Sequence, residues 1–392
     1  MGSVGAFLAT WGTLGFAATA PASIALSQCC AGVTALGLVL AFAARRLRYR
    51  PTGLELPLAL FILAEALSIA FAADRRWSLR AFQDDWPVVF FLVFAQALRH
   101  SRDVRRAFIV LLTSSSIVAL LAVWQVLSGT DPVYHRTLDP IGNYYIGTGL
   151  FGHHLTYGGT VLITGMLALT LLSARPTLRL GASTVLLLCG IVASFARTVW
   201  LGLAVGIVGL AVAARGRVRR VSIALLLLGA VAAIAIPPIR LRLAAFLAFH
   251  DDPRMRLWET ALRIWREHPI FGAGVGSFRL LFERYKVPGF YMSTGHPHND
   301  LLKILVNSGI IGLAAFTFIW VRYFRHILRL RRRLEATDPR RALLLAGILV
   351  VVAFLAGAMG QCFLSDETVA DLFWFLVAAS LVTAREVQEE VA

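Results

Sequence analysis

Gly295-His296-Pro297-His298-Asn299-Asp300 is the densest run of chemically able side chains in the sequence, and it stands directly before a long apolar stretch. Asn299 or Asp300 can cap the helix which that stretch predicts. His298 then sits at the positive end of the helix dipole. That field disfavours imidazolium and keeps the neutral ring a general base needs. The same helix end attracts an anion. A polar helix start with a merely hydrogen-bonded histidine fits the spacing as well. His296 and His298 are two apart, and no nearby Cys or third His in sequence completes a zinc site, so no metal and no cofactor is expected. Arg197 is the second informative residue. It stands in Ala193-Ser-Phe-Ala-Arg-Thr-Val-Trp200 between two apolar runs, without an acidic neighbour. An arginine at membrane depth faces a cavity or a partner, or else snorkels to the interface. Its planar fork suits phosphate, and Arg254 and Arg256 are similar candidates. Arg136, His153, His154 and Tyr157 make a looser set. Asp366 and Glu367 lie in a tight turn, either as solvated acids or as an orienting partner for a base.

The elements that position these residues are membrane helices. The chain has 392 residues, 58% of them hydrophobic before its 32 glycines are counted, only 15% charged, with a mean hydropathy of +0.72. A soluble globular protein is roughly 45–50% apolar with glycine included, so an ordinary soluble enzyme is excluded. Apolar runs predict about twelve spans. They lie near 4–20, 22–44, 54–72, 86–98, 107–127, 155–173, 180–196, 198–214, 220–238, 300–321, 342–362 and 368–384. The fourth is short and can borrow from Ser78–Asp85. Met1 to Phe7 carries no Lys or Arg, so a cleavable signal peptide is not expected, and the first span should stay as an anchor. Cys29, Cys30, Cys189 and Cys362 all lie in apolar runs and are expected as buried small hydrophobes.

The charge of +16 suggests nucleic acid until it is placed on these spans. Of 38 basic residues, 23 follow the even-numbered spans, in clusters such as Arg45–Arg50, Arg99–Arg106, Arg215–Arg220 and Arg322–Arg341. The positive-inside rule makes that side cytoplasmic, with both termini there. These arginines set topology and touch anionic lipid, and no nucleic-acid partner is expected. The other 15 lie on or near the opposite side, where topology does not favour them. That side also carries the long loops, 128–154 and 239–299, and loops of such length are usually functional. The chain therefore reads as helices 1–238, a large outer loop 239–299, and helices with a short tail over 300–392. Within that loop Asp252 can cap a helix and Pro253 suits its first position. Leu257, Ala261, Ile264 and Trp265 share one face, an amphipathic helix able to lie on the bilayer or lid a cavity. His268-Pro269 ends it. Gly272, Gly274 and Gly276 make a turn or a phosphate cradle. No Walker, Rossmann or serine-hydrolase pattern supports ATP or hydrolase chemistry.

Four stretches resemble the O-antigen ligase and polymerase superfamily of bacterial inner membranes. They are Leu150-Phe-Gly-His-His-Leu-Thr-Tyr157, Ser194-Phe-Ala-Arg197, Arg256-Leu-Trp258 with His268-Pro-Ile-Phe-Gly-Ala-Gly-Val-Gly-Ser-Phe278, and His296-Pro-His298-Asn299-Asp-Leu-Leu. The chain departs from many relatives at Phe195-Ala196 and at the paired His153-His154. The resemblance implies an all-α polytopic membrane protein of GT-C-like architecture in a Gram-negative inner membrane, with its active site facing the periplasm. It implies a glycan donor on undecaprenyl pyrophosphate and a lipid A–core acceptor. It further implies that His298 deprotonates the acceptor hydroxyl while Arg197 and Arg256, with Arg254, bind pyrophosphate, without metal and with inversion. His296, Asn299, Arg136, His154 and Asp366 are then supporting residues. A chain near 400 residues with one dominant outer loop looks more like the ligase than the polymerase. A transporter is the reading from another class, disfavoured by spans nearly free of acids (Glu65 and Asp371 excepted) and by the one-sided loop.

Overall fold

Apolar runs of this length can satisfy their backbone polar groups inside a membrane only as helices. The computed structural model describes residues 2–85, 87–247, 253–291 and 294–391, and among them helices carry nearly all the regular structure. They are α1 (Gly2–Thr19), α2 (Ile24–Ala43), α3 (Glu55–Ala70), α4 (Arg75–Ala81), α5 (Val88–Ala97), α6 (Ser101–Ser128), α7 (His154–Ala174) and α8 (Leu178–Ala193). There follow α9 (Arg197–Ala213), α10 (Gly216–Ala235), α11 (Pro237–Leu247), α12 (Pro253–Glu267), α13 (Ser277–Tyr285), α14 (Asp300–Arg333), α15 (Pro339–Ala358) and α16 (Glu367–Val391). Each predicted span coincides with one of α1–α3, α5–α10 and α14–α16. Seven of these, α2, α6, α7, α10 and α14–α16, are long and apolar enough to cross a membrane. The chain is an all-α polytopic membrane protein.

Some boundaries differ from the sequence reading. The fourth span does not borrow from the preceding residues. Residues 75–81 form the separate helix α4, Phe82–Asp85 form a 3₁₀ turn, and α5 is only 10 residues long. Its Phe90, Phe91 and Phe94 are buried, and Phe94 packs on Phe375 of α16. Spans seven and eight are two helices, divided at Phe195, whose φ of 47° turns the chain. Three of the four cysteines are not fully buried: Cys362 is inside, Cys30 is intermediate and packs against Gly15 of α1, and Cys29 and Cys189 are exposed on the outer surface of the bundle. In a bilayer that surface is lipid, which does not penalise an apolar thiol. The loop 128–154 holds two small antiparallel hairpins that short segments did not reveal, β1 (Thr130–Asp131) with β2 (Arg136–Thr137) and β3 (Pro140–Ile141) with β4 (Tyr144–Tyr145).

The arginine-bearing helix ends gather at one end of the bundle. Arg385 donates to the carbonyls of Arg50, Ala95 and Leu98. Arg175, Arg215, Arg331 and Arg341 line a single crevice. The residues singled out for chemistry lie at the other helix ends.

The decisive irregularity is in α14. At Gly309 the backbone takes φ 63° and ψ −159°, so the helix breaks and resumes. The loop after α12 fills the break. Ala273 N–H donates to Val306 O at 2.8 Å and Gly274 N–H to Asn307 O at 3.0 Å, while Ile310 N–H donates to Pro269 O at 3.0 Å. A Cβ on Gly272 would lie 2.4 Å from Asn307 O, and one on Gly309 would lie 2.3 Å from Ile270 O. Gly272 and Gly309 thus let backbone meet backbone, while Gly274 and Gly276 make room for Ala72, Ser78, Trp77 and Ala81, so the turn packs closely on its neighbours. The far side of the same turn meets the α3–α4 connection and α4, through Ala73 N–H to Ala273 O and Trp77 Nε1–H to Gly276 O, both 3.1 Å. Gly309→Ala should therefore lower stability by at least about 2 kcal/mol, from the left-handed backbone and the clash together. Gly229→Ala in α10, where a Cβ meets nothing within 4 Å, should leave it unchanged or slightly raised. Thermal unfolding of the detergent-solubilised variants measures the contrast, and equal midpoints would contradict it.

Candidate active site

His298 reaches its place through three constraints. Asn299 caps α14 by accepting from Leu302 N–H at 3.1 Å, as its position predicted. His298, one residue before the cap, adopts φ 51°, a left-handed conformation that costs a non-glycine residue about 1–2 kcal/mol. Such strain persists only where the surroundings impose it. Here His298 N–H donates to His296 Nδ1 at 3.3 Å, and the two rings stand edge to face with centroids 4.2 Å apart.

The third constraint is Gln361, a residue sequence reasoning missed. Its Oε1 lies 2.5 Å from His298 Nδ1. With Nδ1–H donating to that amide oxygen, the lone pair of the ring is on Nε2. Gln361 belongs to the turn between α15 and α16, which touches every other element of the site. Leu364 N–H donates to Asp300 Oδ2 at 3.0 Å and Lys303 Nζ to Ser365 Oγ at 2.8 Å. Thr156 of α7 donates to Asp366 at 2.6 Å. The buried thiol of Cys362 accepts from the backbone N–H groups of His298 and Asn299, and burial pushes it up so that it stays protonated. Asp366, expected as a supporting residue, is raised by burial against the pull of Thr156, and His153 lies near enough to feel its charge.

The arginines arrive from the opposite side of that turn. Gly360 packs so closely on Thr198 that an added Cβ would lie 2.3 Å from Thr198 Cγ2, and it would lie 3.7 Å from Arg254 Nη1. Arg197 opens α9 one residue before Thr198, and its Nη1 is buried. Arg242 of α11, unmarked in the sequence reading, is depressed first by burial and then by the positive charge of Arg197. Arg242 and Arg254 both act on His154 at the start of α7. Like charges held together in a partly desolvated place form a site that favours an anion.

Two candidates land elsewhere. Arg256 donates from Nη1 to Pro288 O at 3.1 Å and lies across Gly289, so it braces the loop after α13. Arg136 is held by Asp131 at 3.4 Å and donates to Gly152 O at 2.7 Å, anchoring the chain just before His153 and His154. The apolar face of α12 is spent on protein: Leu257, Ala261 and Ile264 pack with Phe278 and Phe282 of α13 and Val306 of α14. Trp265, read on the same face, is only half-buried. The proposed cap, Asp252, lies outside the described residues.

Burial, then His298, Lys303 and His153, bring His296 down from 6.5 to about 4. Its proton is bound by the unfolded chain and refused by the folded one between those values. Stability conferred by the neutral ring is thus full above about pH 6.5 and is lost as pH falls toward 4. Going from pH 7 to pH 5 should lower the thermal midpoint of the wild type more than that of His296→Gln, which keeps an acceptor for His298 N–H. Equal drops would contradict this account.

Residues 182–317, about a third of the chain, match the model of a family described as O-antigen ligase. The matched stretch contains Arg197, Arg254, Arg256, the glycine turn and His296–Asp300, whereas Gln361 and Asp366 lie beyond it. No curated protein matches the chain. Over that stretch this multi-pass membrane protein is similar to the O-antigen ligase family.

Proposed function

We propose that the protein is an O-antigen ligase, transferring a glycan from undecaprenyl pyrophosphate to a sugar hydroxyl of lipid A–core at the periplasmic face of the inner membrane. The observation that carries this reading is the convergence on Gly360-Gln361, where Gln361 meets His298 while Gly360 packs against Thr198 and Arg254. A base and a cluster of guanidinium groups on two sides of one turn suit a reaction with a hydroxyl nucleophile and an anionic leaving group. His298 Nε2 takes the acceptor's proton as the hydroxyl oxygen bonds to the anomeric carbon. The bond from that carbon to the pyrophosphate oxygen breaks, and the electron pair leaves with the lipid pyrophosphate. Attack opposite the leaving group inverts the carbon. Arg197 and Arg254, with Arg242, hold the pyrophosphate, and Arg256 braces the loop after α13 that leads on to His298. No step in this scheme calls on a cofactor.

An apolar cavity of about 350 Å³ begins beside Asp300, Lys303 and Leu364 and runs between Phe61, Val88, Ile304 and Trp374. Its walls suit part of a polyprenyl chain. The ligase is preferred to the polymerase on the single dominant outer loop.

His298→Ala should lower transfer about 10²–10⁴-fold with the protein still membrane-inserted. Gln361→Ala should lower kcat with little change in KM and shift the pH profile, and Gln361→Glu, which keeps an acceptor, should restore part of the rate. Arg197→Gln with Arg254→Gln should instead weaken binding of the pyrophosphate lipid. Reconstituted protein with a defined donor, given either lipid A–core or a second donor as acceptor, separates the two activities. Elongation on the lipid carrier without transfer to lipid A–core would make it the polymerase.

A further inference from the structure

At the arginine-bearing end of the bundle a groove of about 520 Å³ opens between α6, the α7–α8 connection and the start of α15. The length of α7, 21 residues, separates this end from His154 and the site by about 30 Å. The groove is two-toned. Arg105, Arg175 and Arg179 stand around it, one from each of three successive stretches of chain, while Phe108, Leu112, Leu171, Leu180 and Leu343 form its walls. The pattern follows from helical spacing. On α6, Arg105, Phe108, Leu112 and Thr113 recur at three, four and one, so the charge tops an apolar stripe about 12 Å long. On α8, Arg179 and Leu180 stand at the same level, one turn above Ser183.

Charge and shape together select an occupant. The carboxylate that Arg105 acts on most visibly, Asp338, is already taken by Arg340 at 2.7 Å. Among the described residues, no carboxylate lies within ion-pair distance of Arg105, Arg175 or Arg179. Three arginines lining one groove with apolar walls, at the level where helices end, match a phosphodiester head above an acyl chain. A free phosphate would use the rim and leave the walls exposed. A zwitterionic lipid would bring its own cation to a rim already cationic.

We propose that this groove is a binding site for an anionic glycerophospholipid, its phosphate among Arg105, Arg175 and Arg179 and one acyl chain along Phe108, Leu112 and Leu180. The site is remote from His298 and serves to hold α6, α7, α8 and α15 together at this end. Nothing in it depends on which glycan the enzyme transfers.

The test uses full-length protein, delipidated in detergent and offered phosphatidylglycerol, phosphatidylethanolamine or inorganic phosphate. Retained lipid is counted by native mass spectrometry and stability is read as a thermal midpoint. Phosphatidylglycerol should be retained and should raise the midpoint, and the other two should do neither. Replacing Arg105, Arg175 and Arg179 by Gln should weaken retention at least about tenfold, since each basic residue near an anionic lipid surface contributes appreciably. Thr113→Trp, which keeps all three arginines and fills the groove from an exposed position, should weaken it likewise. This second variant decides the matter if the triple variant does not fold. Undiminished retention in either variant overturns the proposal. Equal retention of phosphatidylethanolamine would make the groove an apolar site indifferent to charge, and equal stabilisation by inorganic phosphate would make it a free-anion site.

Discussion

Backbone groups released where a membrane helix breaks find no water to bond, so a break survives only if another piece of chain supplies the missing partners. At Gly309 that piece is Pro269–Gly276, which donates to the carbonyls of Val306 and Asn307 and accepts from Ile310. Much of the architecture follows from this exchange. It ties the large outer loop to a spanning helix. It seats α12 and α13 over the first segment of α14 through Leu257, Ile264, Phe278 and Val306. It presses the α3–α4 connection and α4 against the turn from the other side. The short segment Asp300–Ser308 is thereby held at a fixed angle, with His298 and its cap at its tip.

The turn between α15 and α16 performs the complementary task. Gln361, Leu364, Ser365 and Asp366 reach His298, Asp300, Lys303 and Thr156 in turn. Gly360 admits Thr198 and brings the start of α9 alongside. Two of the described non-glycine residues with left-handed backbone, Phe195 and His298, lie in the connections that this arrangement joins. Both are conformations that local sequence would not choose, kept by contacts made at long range.

The legible part of this protein was the part written in local pattern. Apolar runs located the twelve helices α1–α3, α5–α10 and α14–α16. Arginines placed against the topological bias pointed to Arg197 and Arg254, and an Asn capping position located His298. What stayed hidden depends on separation along the chain. Gln361 is a lone amide 63 residues from its partner, and nothing nearby marks it. Arg242 is one basic residue among several in its loop, distinguished only by the approach of Arg197. The break at Gly309 is invisible because a single glycine in an apolar helix usually signals close packing. Arg256 and Arg254 are two apart on one helix, so the sequence could not rank them, yet a two-residue step of about 200° turns one toward the turn at Gly360 and the other onto Pro288.

The interruption in α14 also divides its electrostatics. An unbroken helix of 34 residues would gather one partial positive charge at Asn299 and one negative charge at Arg333. The break inserts a second pair of ends midway, and the amides and carbonyls of Pro269–Gly274 neutralise both. His298 therefore feels the field of a nine-residue dipole, whose return charge is already quenched inside the protein. The three arginines at the far terminus lie about 50 Å of helix away, several screening lengths in salt solution. The helix, broken at Gly309, thus behaves as two separate dipoles, one beginning at His298 and its cap and the other ending at the arginines of the far terminus.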